Sequence, residues 1–308
     1  MQRRKKTEVI HMISHTMKRY AHLKSIYPDR FADGQPDGLC MKKLPVGDPS
    51  PFGVLEEHED WLWVREWNGS AAEERPVYLD RHLKKQIEGY FALMERRPDL
   101  FTPSDKVPIC SDRHAMLRFI EETGRQVGLV FDNGKFYQVV ADLIDGPHPF
   151  AYARVLYPDS KGNGTVIIPR LITNPDAPLF GILHIFRHSI RKMSGGEFPR
   201  GFQEPDITPE ENALKELSEE FGITKDQLTG LRLLGHSRAD TGLTSGQVQV
   251  YLADIAGVPC DAVTNHEGIL RSEWLSESEL EHRMAKGELI DGMSQTAFLL
   301  YKLSQTIQ

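Results

Sequence analysis

"GGEFPRGFQEPDITPEENALKELSEEFGI", Gly195 to Ile223, joins a glycine-flanked turn, a proline-punctuated loop and a helix crowded with acids. The helix carries its own start and stop. Thr208 can cap the free backbone amides, Pro209 suits the first helical position and Glu211 completes a capping box. Gly222 can take the left-handed conformation that ends a helix. At 100° per residue Leu214, Leu217 and Phe221 fall within about 60° of one another and are expected to face the core. Glu216, Glu219 and Glu220 fall within about 100° on a neighbouring face, so their i, i+3 and i+4 spacing brings the acids together. Each ionised, half-buried pair at ~6 Å costs roughly 3 kcal/mol at an effective dielectric of about 20. A divalent cation with oxygen ligands offsets that repulsion, and Mg²⁺, which binds through a few carboxylates plus substrate phosphate, suits the spacing. A solvated acidic face is the alternative reading of these residues taken alone.

Upstream of the helix the chain reads as strands. "VGLVFDNGKFYQVV", residues 127–140, places Asn133-Gly134 between two β-rich runs and predicts an antiparallel hairpin. "FAYARVLYPDSKGNGTVIIPRLI" offers two more strands, and "LFGILHIFRHSI" continues the sheet. Downstream, "LTSGQVQVYLADI" returns to strand before two closing helices, "SESELEHRMAKGEL" and "MSQTAFLLYKL". Strands around one central helix and a trailing pair predict an α+β sandwich.

The first hundred or so residues give mixed signals. "DGQPDGLCMKKLPVGDPSPFG" is dense in Gly and Pro and reads as loop. "HEDWLWVREW" is an aromatic run, better suited to core or interface packing than to stacking on bases. "YLDRHLKKQIEGYFALMERRPDLF" spaces Leu79, Leu83, Ile87, Phe91 and Met94 at helical intervals, and "DRHAMLRFIEETG" predicts a further short helix. A partly helical N-terminal region, 1–110, is therefore expected before a domain covering 111–308.

With 40% hydrophobic and 26% charged residues, the chain of 308 can bury a real core. A net charge of -7 argues against broad electrostatic capture of nucleic acid. Cys40, Cys110 and Cys260 are far apart, with no His neighbours at zinc-ligand spacing, and they suggest a reducing cytoplasm. The basic start "MQRRKKTEVIHMISHTMKRY" lacks the apolar segment of a secretion signal, and no run reaches ~18 apolar residues. A cytoplasmic protein outside the membrane is the expectation.

The opening stretch resembles the Nudix box, G-x5-E-x7-R-E-U-x-E-E-x-G-U, where U is a bulky aliphatic residue. Gly201 matches the first Gly, Glu216-Leu217 the E-U pair, Glu219-Glu220 the second acids and Gly222-Ile223 the end. Two positions depart: Ile207 stands where the family usually has Glu, and Lys215 where it usually has Arg. "FRHSIRKMSGGEFPRG" looks like the E-x-P-x-G approach of ADP-ribose and nucleoside-diphosphate-sugar pyrophosphatases, and the segment from His266 onward looks like their distal loop and closing helices. The resemblance covers roughly residues 127–308. It implies a Nudix-type α/β/α sandwich with a mixed sheet, and a Mg²⁺-dependent hydrolase, with Mn²⁺ as a substitute, that cleaves the pyrophosphate bond of a nucleoside diphosphate linked to another moiety.

It further implies Glu216, Glu220, Glu219 and the Arg200 carbonyl as metal ligands, and Arg187 and Arg191 as substrate contacts. Gly201, Lys215 and Gly222 fall on the structural positions of the box. Glu219 and Glu220 are catalytic candidates, joined by Glu267 in "TNHEGIL", which aligns with a loop acid that serves relatives as metal ligand or base. Glu273 is the competitor for that role. The 127–140 hairpin implies a homodimer. The region around "GHSRADTGLTSG" lacks a proline common in ADP-ribose enzymes, which weakens that substrate assignment. Ile207 and Lys215 motivate a second reading, a catalytically weak Nudix-fold nucleotide sensor acting through its N-terminal region.

Overall fold

The computed structural model describes residues 44–50, 53–58, 60–67, 70–78, 80–134, 136–157, 163–263 and 268–306. It divides into two compact units, the chain up to Phe131 with Val140–Tyr152, and Asp132–Val139 with Ala153–Gln308.

The first unit holds an antiparallel sheet of β1 (Gly53–Glu57), β2 (Trp61–Trp67) and β3 (Ala72–Tyr78). The N-terminal region is thus part sheet as well as part helix. The aromatic run is strand β2, with Trp61, Leu62 and Val64 buried as core residues. Helix α1 (Arg81–Arg96) is capped by Asp80, which accepts from His82 N and Leu83 N, and buries Ile87, Tyr90, Phe91 and Leu93. Its inner face thus runs through Leu93, with Met94 only half-buried. Helix α2 (Arg113–Thr123) starts on Asp112 and ends on Gly124 at φ 66°.

Strands β4 (Gly128–Asp132), β5 (Gln138–Ile144) and β6 (Phe150–Leu156) form a second three-stranded sheet. Between β4 and β5 the chain does not make a two-residue Asn-Gly turn. Asn133 Oδ1 accepts from Phe136 N (2.8 Å) and Tyr137 N (3.0 Å), and Asp132 Oδ1 accepts from Gly134 N, so side chains organise a longer connection. Cys110 N bonds Leu143 O and the Tyr90 hydroxyl donates to buried Asp142 at 2.5 Å, tying α1 and the segment before α2 to β5.

The second unit is built on a seven-stranded mixed sheet in the order β11 (Leu228–Ser237), β12 (Gln247–Ile255), β7 (Asn163–Leu171), β8 (Leu179–Arg187), β13 (Ile269–Ser276). The short strands β9 (Lys192–Met193) and β10 (Arg200–Phe202) pair with β8 and β7. Strand β12 runs parallel to β7, and the other main pairs are antiparallel. Pro169, with no N–H to give, falls between the end of the β10 pairing at Val166 and the start of the β8 pairing at Arg170.

Alternation along the strands makes two cores. Val166, Ile168, Phe180, Ile182, Val250 and Leu252 face one side and pack with Leu280 of α4 (Glu277–Ala285) and with Ala297, Phe298 and Tyr301 of α5 (Gly292–Thr306). Ile167, Leu183, Ile185, Tyr251 and Ala253 face the other and receive Ala213, Leu217 and Phe221 of α3 (Pro209–Phe221). A sheet apolar on both faces needs a helical layer on each, which is the α/β/α sandwich that the resemblance implies.

Candidate metal and catalytic site

Helix α3 begins and ends as its sequence dictates. Thr208 Oγ1 accepts from Glu211 N, the Glu211 carboxylate accepts from Thr208 N (2.8 Å), and Gly222 closes the helix at φ 65°. Its inner face is set by Ala213, Leu217 and Phe221, all fully buried, with Leu214 only partly covered. Asn212, also buried, donates to Thr165 Oγ1 of β7 (3.1 Å) and accepts from Glu204 N (3.0 Å), pinning the helix and the preceding loop to the sheet.

This placement gives the three glutamates different surroundings. Glu220 is 5% exposed and accepts from the backbone N of Arg200 at 3.1 Å. Glu216 lies with its carboxylate against the Cα of Gly201, where a Cβ would stand 1.9 Å from Oε1. A side chain at 201 would force the Glu216 carboxylate away, so glycine permits the close approach that brings it onto the short strand β10. Glu219 is exposed and held at 2.6 Å by Lys215, whose ammonium also reaches Glu204 at 3.2 Å. Its two carboxylates raise the pKa of Lys215, the bond to Glu219 first. With Ile207 in the usual acid position, Glu204 supplies the brace for this cation.

The other side of β10 is anchored by a buried acid that the sequence reading did not single out. Glu197, 1% exposed, accepts from Arg187 Nε (2.8 Å) and Nη2 (2.6 Å) and pairs with Arg200 Nη2 at 2.8 Å. Arg200 extends the chain of charges to Asp291 (3.1 Å), which accepts from Ser294 N and Oγ, and Ser294 Oγ accepts from Phe198 N (2.9 Å). The bidentate Glu197 contact raises the pKa of Arg187, burial opposes it, and Glu220 adds to it from further off. A lone acid in the apolar run "GGEFPRG", with arginines on both sides in sequence, was the available signal for this cluster.

The remaining predicted residues are dispersed. Arg191 is exposed at φ 55° in the β8–β9 turn, with Nη1 at 2.7 Å from His188 Nδ1 and its guanidinium over Phe186. Glu267 lies outside the described residues. Glu273, the competitor for the base, is held in an ion-pair cluster. It receives Arg283 (2.5 and 2.9 Å) and His184 Nε2 (2.8 Å), and the Arg283 hydrogen bond, with His184, outweighs burial and brings its pKa down to about 2. An acid so strongly ionised is a weak proton acceptor near neutral pH.

The donor set that α3 and β10 bring together is all oxygen, which fits a hard cation such as Mg²⁺ and not a thiolate or imidazole metal. Glu216 and Glu220 sit one turn apart on the same helix, Glu216 lying beside Gly201 and Glu220 held by the Arg200 amide, and the Arg200 carbonyl belongs to the same short strand. A mixed sheet between helical layers, with a glutamate-bearing helix seated on a glycine strand, defines an α/β/α protein. Residues 166–292 match the family model of the NUDIX domain, and this segment of the chain is a NUDIX domain. A comparison with curated proteins finds no match. Among solved structures the chain is similar to a crystal structure of an ADP compounds hydrolase, at 13% identity and a TM-score of 0.45 over 59% of this chain and 92% of that one.

Proposed function

We propose that the chain hydrolyses the pyrophosphate bond of a nucleoside diphosphate joined to a second group, of the ADP-ribose or nucleotide-sugar type, with Mg²⁺ held by Glu216, Glu220 and the Arg200 carbonyl. The observation that carries the reading is the seating of Glu216 on Gly201 beside a buried Glu220 that is oriented by the Arg200 amide. Mg²⁺, for which Mn²⁺ can substitute, supplies neutralisation of phosphate charge and a lowered pKa for bound water. The protein's own groups supply position. The Arg200 amide fixes one carboxylate, and the Glu197 and Asp291 pairs fix Arg200 itself.

Lys215 holds Glu219 on the flank of the helix, where it serves as a further ligand or a partner of the ligands. Arg187, one-third exposed beyond its Glu197 contact, and Arg191 are proposed to meet the phosphates or the distal group. Coordinated glutamates have their lone pairs occupied, so a base from outside the helix is needed, and Glu267 is proposed for it. The exposed Phe136 and Tyr137 near the β4–β5 connection support the expected homodimer. No helix among the described residues is long and apolar enough to cross a membrane, which accords with the proposed cytoplasmic setting.

The test is incubation with Mg²⁺ and a panel of ADP-ribose, nucleotide sugars, NADH and dinucleoside polyphosphates, reading released monophosphates. Turnover of one class identifies the substrate. Tight binding without turnover of any member would instead support the nucleotide sensor.

A further inference from the structure

We propose that Glu56, His58 and His114, in the N-terminal unit, form a second metal site that takes a divalent transition ion of the zinc class and does not take Mg²⁺. The sequence hides this cluster, since Glu56 lies in strand β1, His58 follows its end and His114 lies in the first turn of helix α2. In the fold one ligand atom of each lies within 4.8 Å of the others. Glu56 Oε2 stands 3.2 Å from His58 Nε2 and 3.0 Å from His114 Nε2. Donors bound at ~2.0–2.1 Å to one tetrahedral ion lie roughly 3.3 Å apart, close to the two spacings from Glu56.

The same donor atoms can be satisfied by hydrogen bonds or by a shared cation. His114 Nε2 is buried and has no hydrogen bond among the described residues, although Glu56 Oε2 is within reach. His58 Nδ1 is engaged by the Glu121 carboxylate. With the proton on Nδ1, the His114 ring turns a bare Nε2 lone pair toward the Glu56 carboxylate, the form that a bound cation requires. With the proton on Nε2 it donates to Glu56 instead, and a metal would displace that proton. The Glu121–His58 contact also has the form of the carboxylate–histidine pairs that orient metal-ligating imidazoles and raise their basicity.

Both rings are held by aromatic neighbours. His58 stacks on Trp61 at 3.7 Å and 8° between planes, and His114 packs against Trp63 at 4.6 Å and Trp61 at 5.5 Å. Two imidazoles and one carboxylate suit Zn²⁺, Co²⁺ or Ni²⁺ and are too soft a set for Mg²⁺, and three protein ligands leave one position for water or another group. This site is independent of the hydrolase reading, which rests on the other unit.

The test uses Co²⁺ as a visible probe on untagged full-length chain carrying Glu216→Gln and Glu220→Gln, in excess Mg²⁺, so that the helix carboxylates do not contribute. One equivalent of Co²⁺ is expected to bind with the visible absorption of a four-coordinate nitrogen-ligated ion, and Zn²⁺ is expected to displace it. His58→Ala and His114→Ala should abolish the band, and Glu121→Gln should weaken binding roughly 10- to 100-fold, as removal of an outer carboxylate does. No band with Co²⁺ in excess, or a band unchanged in His114→Ala, overturns the proposal. If the histidine variants lose their circular dichroism, Glu121→Gln decides, and unchanged Co²⁺ affinity there overturns it as well.

Discussion

Glu197 and Glu220 are both buried carboxylates beside Arg200, yet the protein treats them differently. Glu197 receives two guanidinium groups, from Arg187 and Arg200. Glu220 receives the backbone amide of the same Arg200. A carboxylate bound by two cations is neutralised within the fold and is spent on structure. The Arg200 amide orients the Glu220 carboxylate, and under the proposed function that carboxylate serves a cation. Arg200 thus joins a structural acid to a proposed metal ligand.

Breaking each half should give opposite readouts. Glu220→Gln is expected to lower turnover by orders of magnitude while the protein stays folded, because relieving repulsion on the helix is neutral or stabilising. Activity assays beside a melting curve check this, and a lowered melting point with proportionate activity would merge the two glutamates into one role. Glu197→Gln should do the reverse, leaving the paired guanidiniums without their acceptor. A loss of roughly 3 to 5 kcal/mol, on the order of 10 °C in melting temperature, is expected. A melting point within a degree or two of wild type would contradict the structural role.

Two smaller effects sharpen the division. Glu267→Gln should lower kcat by ~10²-fold with little change in substrate binding, as loss of a general base does. A near wild-type kcat would send the search for the base to Glu219, since Glu273 is tied up by Arg283 and His184. Thr208→Ala should act only through the fold, costing about 1 kcal/mol of helix capping. Denaturant titration would show it, and an unmoved midpoint would contradict the capping box.

Helix α3 was legible because its determinants are local. Thr208, Pro209, Glu211 and Gly222 each act within a turn of their own position, and the structure shows every one of them in the expected conformation. The alternating strands and the helical layers were readable for the same reason. Leu214 shows the limit of a helical wheel, since Asn212 and Ala213 turn the buried face toward Thr165 and displace it. The Glu204 brace on Lys215 and the Glu273 triad join residues from separate elements and no spacing announces them, while the Glu197 cluster left only the lone acid of "GGEFPRG" as its signal. The β1–β3 sheet and the Glu56–His58–His114 group are nonlocal in the same sense.

The most direct measurement of the central claim is turnover of the preferred panel substrate by wild-type protein after chelation and again after Mg²⁺ is restored. Hydrolysis should disappear with chelator and return with Mg²⁺, with no matching change in the circular dichroism spectrum. Full turnover in the presence of chelator would contradict a cation held by Glu216 and Glu220.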